Sequence, residues 1–213
     1  MIFSWDEAVA ARARAIGLEL GSGTVHSLVV HAQSVLRENG LLHLTAIDQP
    51  AAFVDRHIGE SLEGARLLDE AASGTLVDLG SGNGYPGIPI ALVRPRLAAC
   101  LVEASEKKAA FLRAAIAAAG VPGSVLARHV TRAQDLAEID AIAILVTRAM
   151  GDWERVVPRL AAKLGSGGKI LLWAGVEAGR VLERDAWRRY RLVARHVLQR
   201  RERSFIYELV KED

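Results

Sequence analysis

Cysteine is almost absent from this sequence. Among 213 residues there is one, Cys100, so the chain can form neither an internal disulfide nor a metal cluster built on cysteines. Apolar neighbours on both sides of Cys100 predict a buried thiol in the core. The six histidines show no spacing with acidic residues that is typical of a metal site. We therefore expect no bound metal.

Long hydrophobic runs are missing too, although 51% of the residues are hydrophobic. No uninterrupted apolar stretch reaches the ~18 residues of a membrane span, and residues 1–7 lack the basic start and apolar segment of a secretory signal. We therefore expect a cytoplasmic protein that does not contact membranes. A chain of this length and hydropathy can bury a core of its own, and we expect a monomer.

The net charge is small, at +2, but the basic residues are unevenly distributed. Arginine is concentrated in the C-terminal part, at Arg180, Arg184, Arg188, Arg189, Arg191, Arg195, Arg200, Arg201 and Arg203. Such an edge can neutralise phosphates and bind RNA. Charges on helix and strand faces are also common on a merely solvated surface. Both interpretations stay open, and Arg200, Arg201 and Arg203 are the candidates for RNA binding.

The pattern of apolar segments divides the chain in two. Residues 1–73 predict a helical extension, with helices over Trp5–Leu20 and Thr24–Asn39, the second capped by Thr24 and closed by Gly40. From residue 74 to 213, apolar runs alternate with helical stretches, as in an α/β domain whose parallel sheet is covered by helices. Strands are predicted over Leu76–Leu79, Ala98–Val102, Ser124–Arg128, Ala141–Val146 and Lys169–Trp173. Helices are predicted over Pro86–Val93, Glu106–Ala119, Arg132–Glu138 and Asp152–Leu164.

The end of the chain has a different pattern. Arg191–Leu198 and Ser204–Val210 are apolar-alternating runs joined by a short polar connection, which predicts an antiparallel hairpin. A mostly parallel sheet that ends in such a hairpin resembles the Rossmann-like fold of class I methyltransferases.

A glycine-rich turn follows the first predicted strand. It runs from Gly80 through Gly82 to Gly84, and glycines let the backbone bend sharply and approach a ligand. Gly82, Gly84 and Gly87 also fit the dinucleotide-binding pattern, which alone is a weak signal. An acid before the first glycine, here Asp78, resembles the methyltransferase form of this loop, in which the acid organises the turn near the cationic amino group of the cofactor.

Glu103 ends the second predicted strand, where a carboxylate can accept hydrogen bonds from both ribose hydroxyls. It supports an adenosine-containing cofactor, but it does not distinguish a methyl donor from a nicotinamide dinucleotide. A phosphate loop of the nucleotide-hydrolase type is excluded because no Gly-Lys-Ser or Gly-Lys-Thr follows the glycines.

A longer motif around the glycines carries a family resemblance. It reads Val77-Asp78-Leu79-Gly80-Ser81-Gly82-Asn83-Gly84-Tyr85-Pro86-Gly87-Ile88-Pro89. This motif, and its Pro-Gly-Ile-Pro ending above all, resembles the RsmG/GidB family of bacterial enzymes, which methylate N7 of a guanine in small-subunit ribosomal RNA. Further matches follow in chain order: His43-Leu44-Thr45-Ala46, His57-Ile58 with Ser61, Glu106-Lys107-Lys108 with Phe111-Leu112-Arg113, Arg132-Ala133-Gln134-Asp135-Leu136, Thr147-Arg148-Ala149, and Glu202-Arg203.

The resemblance implies S-adenosyl-L-methionine as the cofactor and ribosomal RNA, or the small ribosomal subunit, as the partner. It implies that Gly80 and Tyr85 line the methionine side of the cofactor, and that Ala133 and Gln134 meet its adenine. Arg148, after the fourth predicted strand, would complete the pocket for cofactor and substrate. The expected cofactor-binding set is Asp78, Gly80, Gly82, Gly84, Tyr85, Glu103, Ala133, Gln134 and Arg148.

The implied reaction needs little acid–base chemistry. N7 of guanine has a free lone pair and no proton to lose, so it requires in-line positioning and no general base. We expect Arg148 to orient the substrate or to contact phosphate, since a guanidinium cannot act as a base. An ion pair with Asp152 or another neighbour is the structural alternative for Arg148. For His57, the sequence favours a hydrogen bond between helices or between helix and sheet.

One departure from the family keeps other functions open. The lysine of the family's Ala-Leu-Lys-Gly segment falls at Ala174, so the first alternative is a methyltransferase with another RNA or a small molecule as acceptor. A nucleotide-binding oxidoreductase and a non-catalytic RNA-binding protein are alternatives of a different class.

Overall fold

The computed structural model describes residues 3–212 and contains a seven-stranded sheet. The strands are β1 (Gly74–Leu79), β2 (Leu97–Glu103), β3 (Gly123–Ala127), β4 (Ile142–Arg148), β5 (Leu164–Gly175), β6 (Tyr190–Val197) and β7 (Ser204–Lys211). Their order across the sheet is β3-β2-β1-β4-β5-β7-β6. Strands β1 to β5 pair in parallel, while β7 runs antiparallel to both β5 and β6. The predicted α/β fold with its C-terminal antiparallel hairpin is confirmed.

Helices precede the sheet and connect its strands. They are α1 (Trp5–Ala15), α2 (Ser22–Leu42), α3 (Pro50–Phe53), α4 (Glu60–Arg66), α5 (Gly87–Val93), α6 (Glu106–Ala119), α7 (Trp153–Val156) and α8 (Ala178–Leu182). A π-helical segment, Val54–Gly59, joins α3 to α4 without a break. Within residues 3–212, no helix combines the length and the apolar character needed to cross a bilayer.

Helix α1 is shorter than the sequence predicts. It ends at Ala15 instead of Leu20. Leu18 and Leu20 continue the apolar pattern, but they pack against the core from the segment that connects α1 to α2. Burial of these leucines therefore does not require a longer helix.

Helix α2 is longer than the sequence predicts. It begins at Ser22, so Thr24 lies inside the helix and does not cap it. It also continues past Gly40 to Leu42, and it ends where His43 adopts a left-handed conformation with φ of 48°. The glycine therefore does not close this helix, because the turn that closes it comes three residues later.

Two of the helices predicted between strands are wrong in type or extent. Arg132–Glu138 contains only a short 3-10 turn, Ala133–Leu136, where the aspartate of the turn accepts two backbone N–H groups just ahead of it. Asp152–Leu164 contains α7 and a 3-10 turn, Val157–Leu160. Pro158 has no N–H to donate to a preceding carbonyl, so a continuous α-helix cannot run through this segment.

Alternate residues of each strand enter two core layers on opposite faces of the sheet. Leu76 packs in one layer with α1, α2, α4, α5 and α6. The next residue, Val77, packs in the other layer with α7 and with residues of β6 and β7. Cys100 lies in this second layer and is 4% exposed, which confirms the predicted buried thiol. Helices on both faces leave the carboxyl ends of the parallel strands together at one edge.

A close contact between Gly64 and Trp173 holds α4 on the sheet. Trp173 in β5 is buried, and its Nε1 donates to the Glu60 carbonyl at 3.1 Å. A Cβ on Gly64 would lie 2.3 Å from Cζ2 of Trp173. Only glycine therefore lets the helix approach the indole this closely.

Gly64→Ala is expected to lower the free energy of unfolding by about 1–3 kcal/mol, because the indole or the helix must move. Gly40→Ala is the matched control, since Gly40 also lies in a helix and an added Cβ meets nothing within 4 Å. Alanine favours a helix over glycine, so this control should be neutral or stabilising. Urea unfolding measures both variants, and unchanged stability of Gly64→Ala would contradict the close contact.

Candidate active site

Residues from several strand ends meet the N-terminal helices around one cavity. It has a volume of about 850 Å³. Its wall includes Gly80 and Gly82 after β1, Glu103 at the end of β2, Arg148 at the end of β4 and Ala174 in β5. Open α/β sheets bind ligands at the carboxyl edge of their strands. Five of the nine residues that the sequence predicts for cofactor binding line this cavity: Gly80, Gly82, Tyr85, Glu103 and Arg148.

The glycine turn contributes exposed backbone to this cavity. Gly80, Gly82 and Gly84 have φ angles of 71°, 53° and 88°, which residues with side chains rarely adopt. The N–H groups of Gly80 and Ser81 both donate to the carbonyl of Val102 at 2.9 Å, so the turn is fixed to β2. A Cβ on Gly82 would meet only the Gly80 carbonyl oxygen, at 3.8 Å. The space next to Gly82 is therefore open to a ligand.

Asp78 and Gly84 lie behind the turn and do not line the cavity. Asp78 is 1% exposed, its Oδ2 accepts the N–H of Gly87 at 2.9 Å, and its Oδ1 has no hydrogen-bond partner among the described residues. Burial raises the pKa of Asp78 to about 7. A Cβ on Gly84 would lie 2.9 Å from Nε2 of His31. Both residues therefore act on the cavity by supporting the turn from behind.

Glu103 is shared by the main cavity and a smaller one of about 340 Å³. Its Oε2 accepts the N–H of Gly82 at 2.9 Å, and its Oε1 accepts the N–H of Ser105 at 2.8 Å. A carboxylate oxygen can accept two hydrogen bonds. Glu103 therefore holds the glycine turn and can still accept hydrogen bonds from a ligand.

The smaller cavity contains residues that the sequence did not nominate. Ala104 and His129 line it, whereas Ala133 and Gln134 line neither cavity. Contact between these two residues and adenine therefore stays a prediction. Ala104 could have been nominated, because it directly follows Glu103 at the ligand-binding edge of the sheet.

The guanidinium of Arg148 is held by the N-terminal helices. Its Nη2 donates to Nδ1 of His57 at 2.8 Å, its Nη1 donates to the carbonyl of Arg56 at 3.1 Å, and Nη1 lies 3.6 Å from Oε2 of Glu60. The ion pair considered as an alternative exists, with Glu60 in place of Asp152. The hydrogen bond expected between His57 and the sheet is confirmed, and His57 also lines the cavity.

Tyr85 lies in a stack of aromatic rings at the cavity wall. Its ring centroid is 4.4 Å from that of His31 and 5.1 Å from that of His57. The hydroxyl is buried without a hydrogen-bond partner among the described residues, and burial raises the pKa of Tyr85. Burial lowers the pKa of His31 to about 4 and, together with the charge of Arg148, lowers that of His57 to about 3. Both imidazoles are therefore neutral near pH 7.

The three arginines predicted to bind RNA differ in their surroundings. Arg200 is exposed and donates to Oδ2 of Asp55 at 2.6 Å. Arg201 lines the cavity, with its Nη1 3.4 Å from Oε1 of Glu60. Arg203 is exposed. Arg201 therefore belongs to the cavity wall, and the other two lie on the neighbouring surface.

The segment between α2 and α3 forms a wall of the cavity that the sequence did not predict. Leu44 and Thr45 line it. Asn39 holds both backbone groups of Thr45, each at 2.9 Å, and Nδ2 of Asn83 donates to the Leu44 carbonyl at 3.2 Å. The motif His43-Leu44-Thr45-Ala46 was an available signal, but nothing in its residue types indicates which atoms face the cavity.

A family model confirms the resemblance found in the sequence. The model of GidB, described as rRNA small subunit methyltransferase G, matches residues 24–193. The chain belongs to this family. Relatives named "Ribosomal RNA small subunit methyltransferase G" include one from Sorangium cellulosum, 34% identical over 85% of this chain and 77% of the relative, and one from Myxococcus xanthus, 33% identical over 80% and 78%. The protein is therefore a methyltransferase, and the oxidoreductase alternative is set aside.

Solved structures of low sequence identity share the fold. The ribosomal protein L11 methylase from Lactobacillus delbrueckii subsp. bulgaricus has a TM-score of 0.59 at 13% identity. The match covers 74% of this chain and 79% of the methylase chain. The mitomycin 7-O-methyltransferase MmcR has a TM-score of 0.62 at 14% identity and covers 89% and 66%. Likeness at this identity concerns the Rossmann-like methyltransferase fold alone.

Gly82→Val is expected to abolish binding of S-adenosylhomocysteine, because a β-branched side chain is strained at the φ of 53° and fills the open space beside the turn. Gly167→Val is the control, since Gly167 has a φ of 68°, an added Cβ meets nothing within 4 Å, and the residue does not line the main cavity. Calorimetric titration of both variants separates obstruction of the space beside the turn from backbone strain at a positive φ. Loss of binding in Gly167→Val, or retention in Gly82→Val, would contradict this role of the turn.

Burial of Asp78 is expected to make the folded protein less stable as the pH rises. Its folded pKa of about 7 exceeds the ordinary value of 3.8, so the folded state binds the extra proton between these values, and that stabilisation is lost as the pH passes 7. Asp78→Asn keeps an acceptor for the N–H of Gly87 and removes this titration. Urea unfolding from about pH 5 to about pH 8 should show the variant gaining stability relative to wild type. If the difference in free energy of unfolding between Asp78→Asn and wild type does not change with pH, the raised pKa of Asp78 is contradicted.

Proposed function

We propose that this chain transfers the methyl group of S-adenosyl-L-methionine to N7 of a guanine in small-subunit ribosomal RNA. The observation that carries the proposal is the meeting of the open glycine turn, the Glu103 carboxylate and Tyr85 around one cavity of about 850 Å³. The names of the relatives support ribosomal RNA as the substrate.

The donors and acceptors around the turn suit this cofactor. Glu103 retains lone pairs for two ribose hydroxyls. The unpaired Oδ1 of Asp78 leaves a buried carboxylate whose charge an ammonium group in front of the turn would offset. The backbone beside Gly82 is unobstructed. When bound, the cofactor supplies an electrophilic methyl group.

The ionisable rings in the wall, and His31 behind it, agree with a reaction that needs no proton transfer. The imidazoles of His31 and His57 have pKa values of about 4 and about 3, and burial raises the pKa of Tyr85. None of the three is therefore poised to exchange a proton near pH 7. N7 of guanine uses its own lone pair, so the chain's task is to hold N7 close to the methyl group and in line with it. Such positioning can supply up to about 7–11 kcal/mol.

In this proposal Arg148 holds neighbouring side chains of the cavity wall in position. Its donors already meet His57, Arg56 and Glu60, so it is a positioning residue and not a free phosphate clamp. Phosphate contacts fall to the exposed arginines beside the cavity. Ala174 adds no charge to the wall, whereas Arg201, in the connection between β6 and β7, adds a positive charge.

Calorimetric titration with S-adenosylhomocysteine, followed by transfer of tritiated methyl groups to undermethylated small ribosomal subunits, tests the proposal. Large subunits from the same cells are the matched control. Saturable binding with transfer to the small subunit alone is the expected result. Binding without transfer would point to another acceptor, and absence of binding would reject the cofactor site.

Arg200→Ala combined with Arg203→Ala is expected to weaken RNA binding and to reduce the slope of log K against log salt by about 2, because each lost phosphate contact removes about one unit. The paired control is Arg180→Ala with Arg188→Ala, which removes the same charge at two exposed sites outside the cavity wall. Filter binding at several salt concentrations measures the slopes. Equal slopes for the two double variants would show that the first pair is only solvated surface.

A further inference from the structure

Three side chains form a line of hydrogen bonds along the cavity wall. Nη2 of Arg148 meets Nδ1 of His57 at 2.8 Å, and Nε2 of His57 meets Oγ1 of Thr45 at 2.7 Å. The backbone N–H of Ile47 donates to the same Oγ1 at 3.0 Å. Thr45 is half-buried and lines the cavity. The line therefore ends in a hydroxyl group at the ligand space.

The chemistry of these groups fixes the direction of each bond. A guanidinium only donates, so Nδ1 of His57 must accept from Arg148 with its lone pair. A neutral imidazole that accepts at Nδ1 carries its proton on Nε2. His57 therefore donates to Thr45, and the low pKa of about 3 agrees with a neutral ring.

The hydroxyl of Thr45 can act towards a ligand only as a hydrogen-bond donor. A hydroxyl has two lone pairs and one proton, and His57 and Ile47 occupy the two lone pairs. Within residues 3–212, no acceptor meets the hydroxyl proton of Thr45. This group can therefore donate a hydrogen bond to a ligand, but it cannot accept one.

The position of this donor is fixed relative to the glycine turn. Asn39 holds the N–H and the carbonyl of Thr45 at 2.9 Å each. Asn83, which belongs to the turn, donates to the carbonyl of Leu44 at 3.2 Å. A donor whose segment is tied to both α2 and the glycine turn keeps its place when a ligand enters.

We propose that Thr45 selects guanine as the methyl acceptor by donating its hydroxyl hydrogen bond to guanine O6, a role that rests on the proposed function. O6 and N7 lie next to each other on one edge of guanine, and both are acceptors. Adenine presents an amino group in place of O6, and a hydroxyl whose lone pairs are filled cannot accept from it. Thr45 thus determines specificity, while Arg148 and His57 are positioning residues that act through it.

The test compares two acceptors with two variants. The acceptor is small-subunit RNA assembled with a synthetic segment that carries either guanine or 2-aminopurine at the methylated position, because 2-aminopurine keeps N7 and lacks O6. Thr45→Val removes the hydroxyl at nearly constant volume, and Thr45→Ser keeps it. Affinity for S-adenosylhomocysteine and urea unfolding of each variant show that folding and the cofactor site are intact.

Wild type should methylate the 2-aminopurine RNA about tenfold more slowly than the guanine RNA, the effect of one lost hydrogen bond to a buried partner. Thr45→Val should be about tenfold slower on guanine and show no further loss on 2-aminopurine. Thr45→Ser should recover most of the rate on guanine. If the loss of rate from Thr45→Val and the loss of rate from 2-aminopurine multiply in the combined experiment, the role of Thr45 is overturned. A Thr45→Val rate on guanine equal to that of wild type would overturn it as well.

His57 supplies an independent check of the direction of the bonds. A glutamine amide can accept from Arg148 and donate to Thr45, so His57→Gln should retain the preference for guanine RNA. His57→Phe should lower that preference as Thr45→Val does. Equal preferences in the two His57 variants would contradict the line of bonds.

The outcomes distinguish the two proposals. Absence of transfer by wild type to any RNA would reject the proposed function and this role of Thr45 together. Transfer in which the losses from Thr45→Val and from 2-aminopurine multiply would reject the role of Thr45 alone.

Discussion

The carboxylate of Glu60 joins the parts of the chain on which the site depends. It lies 3.2 Å from the guanidinium of Arg56, 3.6 Å from that of Arg148 and 3.4 Å from that of Arg201, and it is 6% exposed. Burial raises the pKa of Glu60, and the neighbouring arginines oppose that rise. A buried carboxylate without partners is very costly. The helical layer, the end of β4 and the C-terminal hairpin are therefore held at one point.

The ion pairs of Glu60 determine the positions of other side chains along the cavity wall. Because Glu60 and the Arg56 carbonyl hold one side of the Arg148 guanidinium, the other side is directed at His57. His57 in turn fixes Thr45. On the opposite wall, Glu103 and the Val102 carbonyl fix the glycine turn. The two walls are built from different parts of the chain, and hydrogen bonds between distant residues fix both of them.

The elements that the sequence predicted correctly depend on local patterns. Apolar runs and their spacing predict where the strands lie along the chain, and the glycines after Asp78 predict a turn whose backbone a ligand can approach. Glu103 could be predicted because a residue at the end of a parallel strand must lie at the ligand-binding edge. These predictions need only neighbours in sequence and one rule of sheet topology.

The elements that the sequence did not predict depend on contacts between distant residues. Arg148 and His57 are 91 positions apart, and no local pattern indicates that they meet. The end of α1 was misjudged because Leu18 and Leu20 bury themselves from a connecting segment. Thr45 belonged to a recognised motif, but only the filled lone pairs of its hydroxyl suggest a function.

Identification of the methylated atom tests whether the protein modifies N7 of guanine. Undermethylated small ribosomal subunits would be incubated with the protein and S-adenosyl-L-methionine, the RNA digested to nucleosides, and the products separated by mass spectrometry. The expected new product is 7-methylguanosine, at one position in each small-subunit RNA. A different methylated nucleoside, or no new product from protein that binds S-adenosylhomocysteine, would contradict it.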